Sequence, residues 1–158
     1  MDFDFRFTIP ADRQVLWQKV TDIETVAFCV PGVTGIEKLE EGPPVEYEGT
    51  LKIRVGPIGL QMKGLVIISS IDNDQCAMAL ICEGKDRKIP GTIKTETTMG
   101  LEATESGEPG TDLVIHTHAT IMGKLGEFGQ SVIRKKTAKV LAEFVANLVT
   151  QLEEEAAA

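Results

Sequence analysis

The sequence predicts an α+β domain in which a curved antiparallel sheet of about seven strands wraps one long C-terminal helix, with two short helices between the first two strands. Three observations carry this prediction. Phe3, Phe5, Phe7 and Ile9 alternate with Asp2, Asp4, Arg6 and Thr8, the period of two that marks a strand with one buried face. From Val33 to Met122 one alternating run follows another, each bounded by Gly, Pro, Asn or Asp, and no connection is long enough to hold a crossover helix, so the strands pair antiparallel. Beyond Met122 the pattern changes to the helical period and stays there.

The elements follow in order. Pro10 stops the first strand and suits the first turn of a helix, with Asp12 near the positive end of its dipole and Val15, Leu16 and Val20 on one stripe. Asp22 is placed to cap a second short helix carrying Ile23, Val26 and Ala27, which Pro31-Gly32 ends. Tyr47, Gly49, Leu51, Ile53 and Val55 share one face of the next long strand, and Glu46, Glu48, Thr50, Lys52 and Arg54 the other. Gly56-Pro57 turns the chain into Ile58, Leu60, Met62, Gly64, Val66 and Ile68. Asp72-Asn73-Asp74 turns it again into Cys76, Met78, Leu80 and Cys82, before a loop expected from Glu83 to Pro90. Ile93, Thr95, Thr97, Met99 and Leu101 form the next inward face, and Leu113, Ile115, Thr117, Ala119 and Ile121 the last. The long helix is expected from about Gly126, with Ile133, Thr137, Val140, Leu141, Phe144 and Leu148 facing the sheet. Residues 1–152 read as one domain, and 153–158 as an acidic, alanine-ended tail that frays because Glu153 to Glu155 oppose the helix dipole.

Composition bounds the function. A chain of 158 residues buries roughly 70% of its unfolded surface, enough for a core without disulfides or metal. Its 24 acidic and 16 basic residues give a net charge of −8, which argues against a whole-surface grip on nucleic acid or anionic lipid but permits a local basic patch. Cys29, Cys76 and Cys82 are odd in number and lack C-x-x-C spacing, which fits free thiols in the cytoplasm. The N-terminus has no secretory pattern, and the longest apolar stretch, Leu65 to Ile68, is far short of the roughly 20 residues that span a bilayer, so a soluble protein is expected.

A helix only about 10 Å wide does not fill the concavity of so many strands, so the architecture leaves two readings, a fully packed core or an internal cleft. Met62, Met78 and Met99 on the inner face adapt to irregular contents, while Gly64, Cys76 and Ala119 leave room. If a cleft exists, its expected lining is Phe28, Leu60, Met62, Met78, Leu80, Thr97, Met99, Leu125, Phe128, Val132, Val140 and Phe144. Leu125, Phe128 and Val132 lie off the sheet-facing stripe, and with Gly123, Gly126 and Gly129 they make either a mobile mouth or a simple strand-to-helix turn.

Catalytic patterns are scarce. His116 and His118 share one strand face, a spacing that permits paired metal ligation, yet Leu113, Ile115, Ala119 and Ile121 hold the apolar side and leave the histidines outward. There is no H-E-x-x-H, G-x-S-x-G or phosphate loop, and Glu83 and Asp86 have no nucleophile to serve. Lys124, Arg134, Lys135, Lys136 and Lys139 place five of the 16 basic residues in one 16-residue stretch with a single acid, Glu127. That stretch reads either as a solvated helix face or as a docking surface for anionic headgroups or an acidic partner. No aromatic residues are interleaved for stacking on nucleic acid.

Specific residues then carry a resemblance. Phe28-Cys29-Val30-Pro31-Gly32-Val33, Tyr47-Glu48-Gly49 followed by Lys52 through Ile58, Glu83-Gly84-Lys85-Asp86 to Gly91, and Gly123-Lys124-Leu125 through Gly129 with Phe144, resemble the carbon monoxide dehydrogenase G-subunit family over residues 2–150. That family is START-related (SRPBCC-like) with a helix-grip fold. The resemblance implies a cavity for an apolar ligand and an accessory role beside a molybdenum-containing carbon monoxide dehydrogenase-type enzyme, recruited to the membrane. The expectation is therefore a non-enzymatic, cytoplasmic protein, peripheral at the inner face of the membrane. It would bind a quinone or lipid, with no other cofactor and no metal. The alternatives are a small START-like cyclase or hydrolase and a filled-core interaction module. Members with a membrane role often carry an apolar C-terminal anchor, whereas this sequence stops at Glu153 to Ala158.

Overall fold

The computed structural model describes residues 1–158. Strand β1 (Asp2–Ile9) leads into α1 (Arg13–Thr21) and α2 (Ile23–Val26), which runs on as a 3₁₀ turn, Ala27–Cys29. Six strands follow in succession: β2 (Val33–Glu40), β3 (Val45–Val55), β4 (Ile58–Asp72), β5 (Ala77–Asp86), β6 (Gly91–Glu102) and β7 (Thr111–Gly123). A second 3₁₀ turn, Lys124–Phe128, precedes α3 (Gln130–Ala157). The sheet order is β1-β7-β6-β5-β4-β3-β2, with every neighbouring pair antiparallel. Hairpins build β2 through β7 in sequence, and α1 and α2 carry the chain from one edge strand, β1, to the other, β2.

Local chemistry sets the ends of these elements. Asp12 caps α1, its carboxylate accepting from the Gln14 amide at 3.0 Å. With the helix beginning at Arg13, the packed stripe is Leu16, Trp17 and Val20, and Val15, expected inward, is exposed. The Trp17 indole N–H donates to Asn73 Oδ1 at 3.0 Å, which satisfies its one polar atom inside the core. Gly32 has a φ of +93°, and a Cβ there would lie 2.1 Å from the Lys52 carbonyl oxygen, so only glycine lets the chain turn into β2 this close to β3.

Three boundaries differ from the sequence reading. Strand β5 continues through Glu83 to Asp86, because the ladder with β4 holds as far as Met62 opposite Asp86. The long helix begins at Gln130 rather than near Gly126, because the chain first makes the 3₁₀ turn that buries Leu125 completely. At the other end α3 stays helical to Ala157, where the sequence predicts fraying from residue 153. Buried Lys19 explains this, its Nζ 2.6 Å from Glu155 Oε1, together with Leu152 packed in the core. The dipole penalty on Glu155 is offset by that specific cation.

Apolar packing falls into two unequal groups. The main core gathers Ile9, Leu16, Trp17, Val20, Met78, Leu101, Leu113, Ile115, Leu148 and Leu152, so the two short helices and the C-terminal half of α3 close one end of the sheet. A small cluster of Val55, Leu60 and Leu125, with Phe128, Ile93 and Ile121 against it, closes the other. The space between them is not filled.

Candidate functional site

A cavity of about 460 Å³ lies between the sheet and the N-terminal half of α3, and 19 of its 29 lining residues are hydrophobic. Its size falls within the range of roughly 300–1,000 Å³ typical of small-molecule sites. The strand register explains why it exists. Ile36, Gly49, Gly64, Gly84, Ile93 and Ile121 stand opposite one another in a single row across β2 to β7, and all six line the cavity. Three adjacent positions in that row therefore carry no side chain. From β4 to β7 the neighbouring row, Val66, Cys82, Thr95 and Ala119, is also short, with buried Tyr47 at its β3 position, whereas Met78, Met99, Ile115 and Phe5 two rows further on are large and meet the core. Side-chain size thus falls along the inner face from the packed end to the hollow one.

The polar atoms of the wall are mostly spent on one another. Thr50 shares a hydrogen bond with Thr34 at 2.8 Å, Thr117 with Thr97 at 2.6 Å, and the Thr137 hydroxyl donates to the Ile133 carbonyl at 2.8 Å. Burial pushes the Cys82 thiol above its usual range, opposed by a hydrogen bond with Thr95, so the thiol stays protonated and inert at neutral pH. Glu83 reaches the cavity from β5, but its carboxylate is exposed and 4.0 Å from Lys94. Lys136, half-buried on α3, is the one cationic residue of the wall.

Of the residues expected to line a cleft, Leu60, Met62, Leu125 and Phe128 do so. Met78 belongs to the main core, with Leu80, Met99 and Phe144 packed against it. Thr97 stands one step outside, hydrogen-bonded to the lining Thr117. Phe28 is 50% exposed, although its neighbours Ala27 and Val30 line the cavity. Val132 is exposed, and Val140 is half-buried on α3 outside the lining. Alternation identifies the inner face of a strand but not how far along that face the helix fills the space. Nothing local in the sequence marks Gly49, Gly84, Ile36, Ile93 and Ile121 as lining residues, since only the register aligns them.

The basic residues separate into different roles. Lys124, Lys135 and Lys139 are exposed. Arg134 is partly committed to the fold, donating to the Asp2 carbonyl at 3.1 Å and lying 5.0 Å from the centre of the Phe3 ring. At the Leu60 end of the cavity Lys85 near the end of β5, Arg87 and Lys88 in the β5–β6 connection and Arg54 near the end of β3 add positive charge, and Ile58 and Met122 are exposed. These come from separate hairpin tips, so no single stretch of sequence displays them. Asp86, the last residue of β5, is a structural carboxylate that accepts from the amides of Gln61, Lys88 and Ile89 at 2.7–2.9 Å. Desolvation pushes its pKa upward, and those backbone bonds together outweigh it and hold the group below its ordinary range.

His116 and His118 are outward, 51% and 49% exposed, on the sheet face opposite the cavity. Each is joined to a β1 carboxylate rather than to the other, His116 Nδ1 to Asp4 at 2.5 Å and His118 Nδ1 to Asp2 at 2.9 Å. The hydrogen bond to Asp4 raises the His116 pKa, and the bond to His118 lowers that of Asp2.

No curated protein matches the sequence. Solved structures share the fold across almost the whole chain. A conserved protein from Geobacillus kaustophilus superposes with a TM-score of 0.84 at 16% identity, covering 98% of this chain and 96% of that one. The Zhui aromatase/cyclase from Streptomyces sp. R1128 gives 0.68 at 12% identity, with 99% and 95% coverage. Ara h 8.0201 gives 0.68 at 18% identity, with 98% of each chain covered. These likenesses establish the helix-grip fold. The family model for the carbon monoxide dehydrogenase G subunit (CoxG) matches residues 6–153, and the chain belongs to that family.

Proposed function

We propose that this protein is a non-catalytic carrier that encloses an apolar small molecule, a quinone or a lipid tail, between the sheet and α3, in the service of a molybdenum-containing carbon monoxide dehydrogenase-type enzyme. The observation that carries this reading is the glycine-floored cavity of about 460 Å³, walled mainly by hydrophobic side chains. Each methylene buried there contributes about 0.8 kcal/mol to binding. Family membership supports the partner. The exposed Lys124, Lys135 and Lys139, with the hairpin-tip basics and Ile58 and Met122 near the cavity, support transient contact with an anionic membrane surface from which a ligand is collected.

The likeness to an aromatase/cyclase favours a second reading, turnover within the same cavity. Against it, the wall hydroxyls of Thr50, Thr117 and Thr137 are engaged with protein partners and the one thiol is held protonated. Native mass spectrometry of the purified protein, followed by lipid extraction, tests the carrier. An apolar molecule is expected to co-purify, or added menaquinone or a long-chain lipid to bind one per chain. If none co-purifies and none binds, the carrier reading fails.

A further inference from the structure

Which amphiphiles the cavity takes depends on the polar groups left free in its wall, an inference that rests on the carrier reading above. Among the polar side chains of the wall, the hydroxyls of Thr50, Thr117 and Thr137 are paired with protein atoms, and Glu83 lies beside Lys94. Lys136 stands apart. The lysine ion pairs of the molecule belong to Lys19, Lys38, Lys63 and Lys94, and Lys136 has no carboxylate within ion-pair distance. It is half-buried at an apolar wall, where an ammonium without a partner is costly, and Arg134, Lys135 and Lys139 on the same helix add positive potential around it.

We propose that the preferred ligand is a single-chain amphiphile with one anionic head, a carboxylate or phosphate monoester, whose head pairs with Lys136 while its chain lies on the floor formed by Gly49, Gly64 and Gly84. The wall offers no second cationic donor, and its Thr50, Thr117 and Thr137 hydroxyls are already paired, so a ligand bearing several polar groups along its length would leave most of them unpaired inside the cavity, at a cost for each. A head on one end and a plain chain behind it satisfies both parts of the site. Charge-assisted pairing to an ammonium in a partly desolvated position is the stronger class of hydrogen bond.

Direct binding of four probes to the delipidated protein tests this: palmitate, hexadecyl phosphate, hexadecanol and methyl palmitate, which share a chain and differ in head. The wild type is expected to bind at least one anionic probe about tenfold more tightly than either neutral one. Comparison of palmitate with hexadecyl phosphate then identifies which head is preferred. Lys136→Met should remove the preference for the anionic head. Lys136→Arg should keep it, and Lys52→Met, an equal loss of charge on the outer face of β3, should have no effect. Equal binding of charged and neutral probes by the wild type, or an unaltered preference in Lys136→Met, overturns the proposal while leaving the carrier reading in place. Binding of none of the four overturns the proposal, and the carrier reading falls with it only if menaquinone does not bind either.

Discussion

Gly64 and Gly84 face each other across β4 and β5, so close that a Cβ on Gly64 would lie 2.4 Å from the Glu83 carbonyl oxygen and 3.1 Å from the Gly84 Cα. With Gly49 beside them they form a strip of bare backbone under the N-terminal half of α3. Any side chain at the centre of that strip has to push one strand away from another.

Gly64→Ala should therefore destabilise the fold by about 1–3 kcal/mol through overpacking against backbone that has no room to move. Gly49→Ala provides the contrast, since its Cβ would find nothing nearer than Ile36 Cδ1 at 3.6 Å. It should be neutral or stabilise by a few tenths up to about 1 kcal/mol by restricting the unfolded chain. Urea denaturation of the two variants checks the pair, and equal stability would mean that the strands do not approach as closely as described.

The same row also predicts a functional substitution. Gly49→Leu adds a side chain whose Cβ meets Ile36 and the Gly35 carbonyl only at van der Waals distance and whose remainder extends into the cavity. It should keep the far-ultraviolet circular dichroism of the wild type and lose uptake of whatever long-chain molecule the wild type binds. Undiminished uptake would place the ligand elsewhere.

Lys19 and Glu155 join α1 to the last turn of α3. Glu155→Ala leaves the buried ammonium of Lys19 without its partner, but because the Glu155 side chain is itself 58% exposed, solvent screens the pair and the expected loss is about 1 kcal/mol. The local signature is clearer. Amide exchange from Leu152 to Ala157 should accelerate more than exchange elsewhere in α3, which hydrogen–deuterium exchange measures directly.

The β1–β7 edge should respond to pH. In the folded state the His116 pKa is raised above its ordinary 6.5 by the hydrogen bond to Asp4 and then by that carboxylate's charge. A raised folded pKa means stabilisation that is complete below pH 6.5 and is lost as the pH rises through the folded value. For Asp2, whose folded pKa is lowered below 3.8 by its bond to His118, the contribution is present above 3.8 and lost on acidification through the folded value. Thermal melting from about pH 6 upward should show a small loss of stability in the wild type that is reduced in Asp4→Asn. A pH response equal in both proteins would exclude the His116–Asp4 pair as its source.

Lys124, Lys135 and Lys139 replaced together by glutamate should weaken sedimentation with anionic vesicles at low salt, at about 1 kcal/mol per basic group near the surface. Arg134 is left in place because it holds β1, so a loss of binding reports charge and not unfolding. Unchanged sedimentation would remove the membrane from the proposed function.

Period and turn chemistry were enough to define the order of the elements, the antiparallel pairing and the inner face of β1 and of β3 to β7. Both are local: the Phe3-to-Ile9 alternation, the cap at Asp12 and the glycine at position 32 can each be read within a few residues. The outward placement of His116 and His118 follows in the same way, since the opposite face is apolar. The position of the cavity is not local, and it emerged with the packing. Met78 and Leu60 look alike in sequence, as apolar residues at alternate positions, yet one is packed in the core with Trp17 and Leu148 and the other borders empty space. The difference arises because register sets Gly49, Gly64 and Gly84 side by side from residues 15 to 35 positions apart, and because a helix crossing the sheet covers one end of it more fully than the other. Lys136 shows the same dependence. Sequence groups it with its basic neighbours, and the direction α3 takes over the sheet puts it at the wall of the cavity.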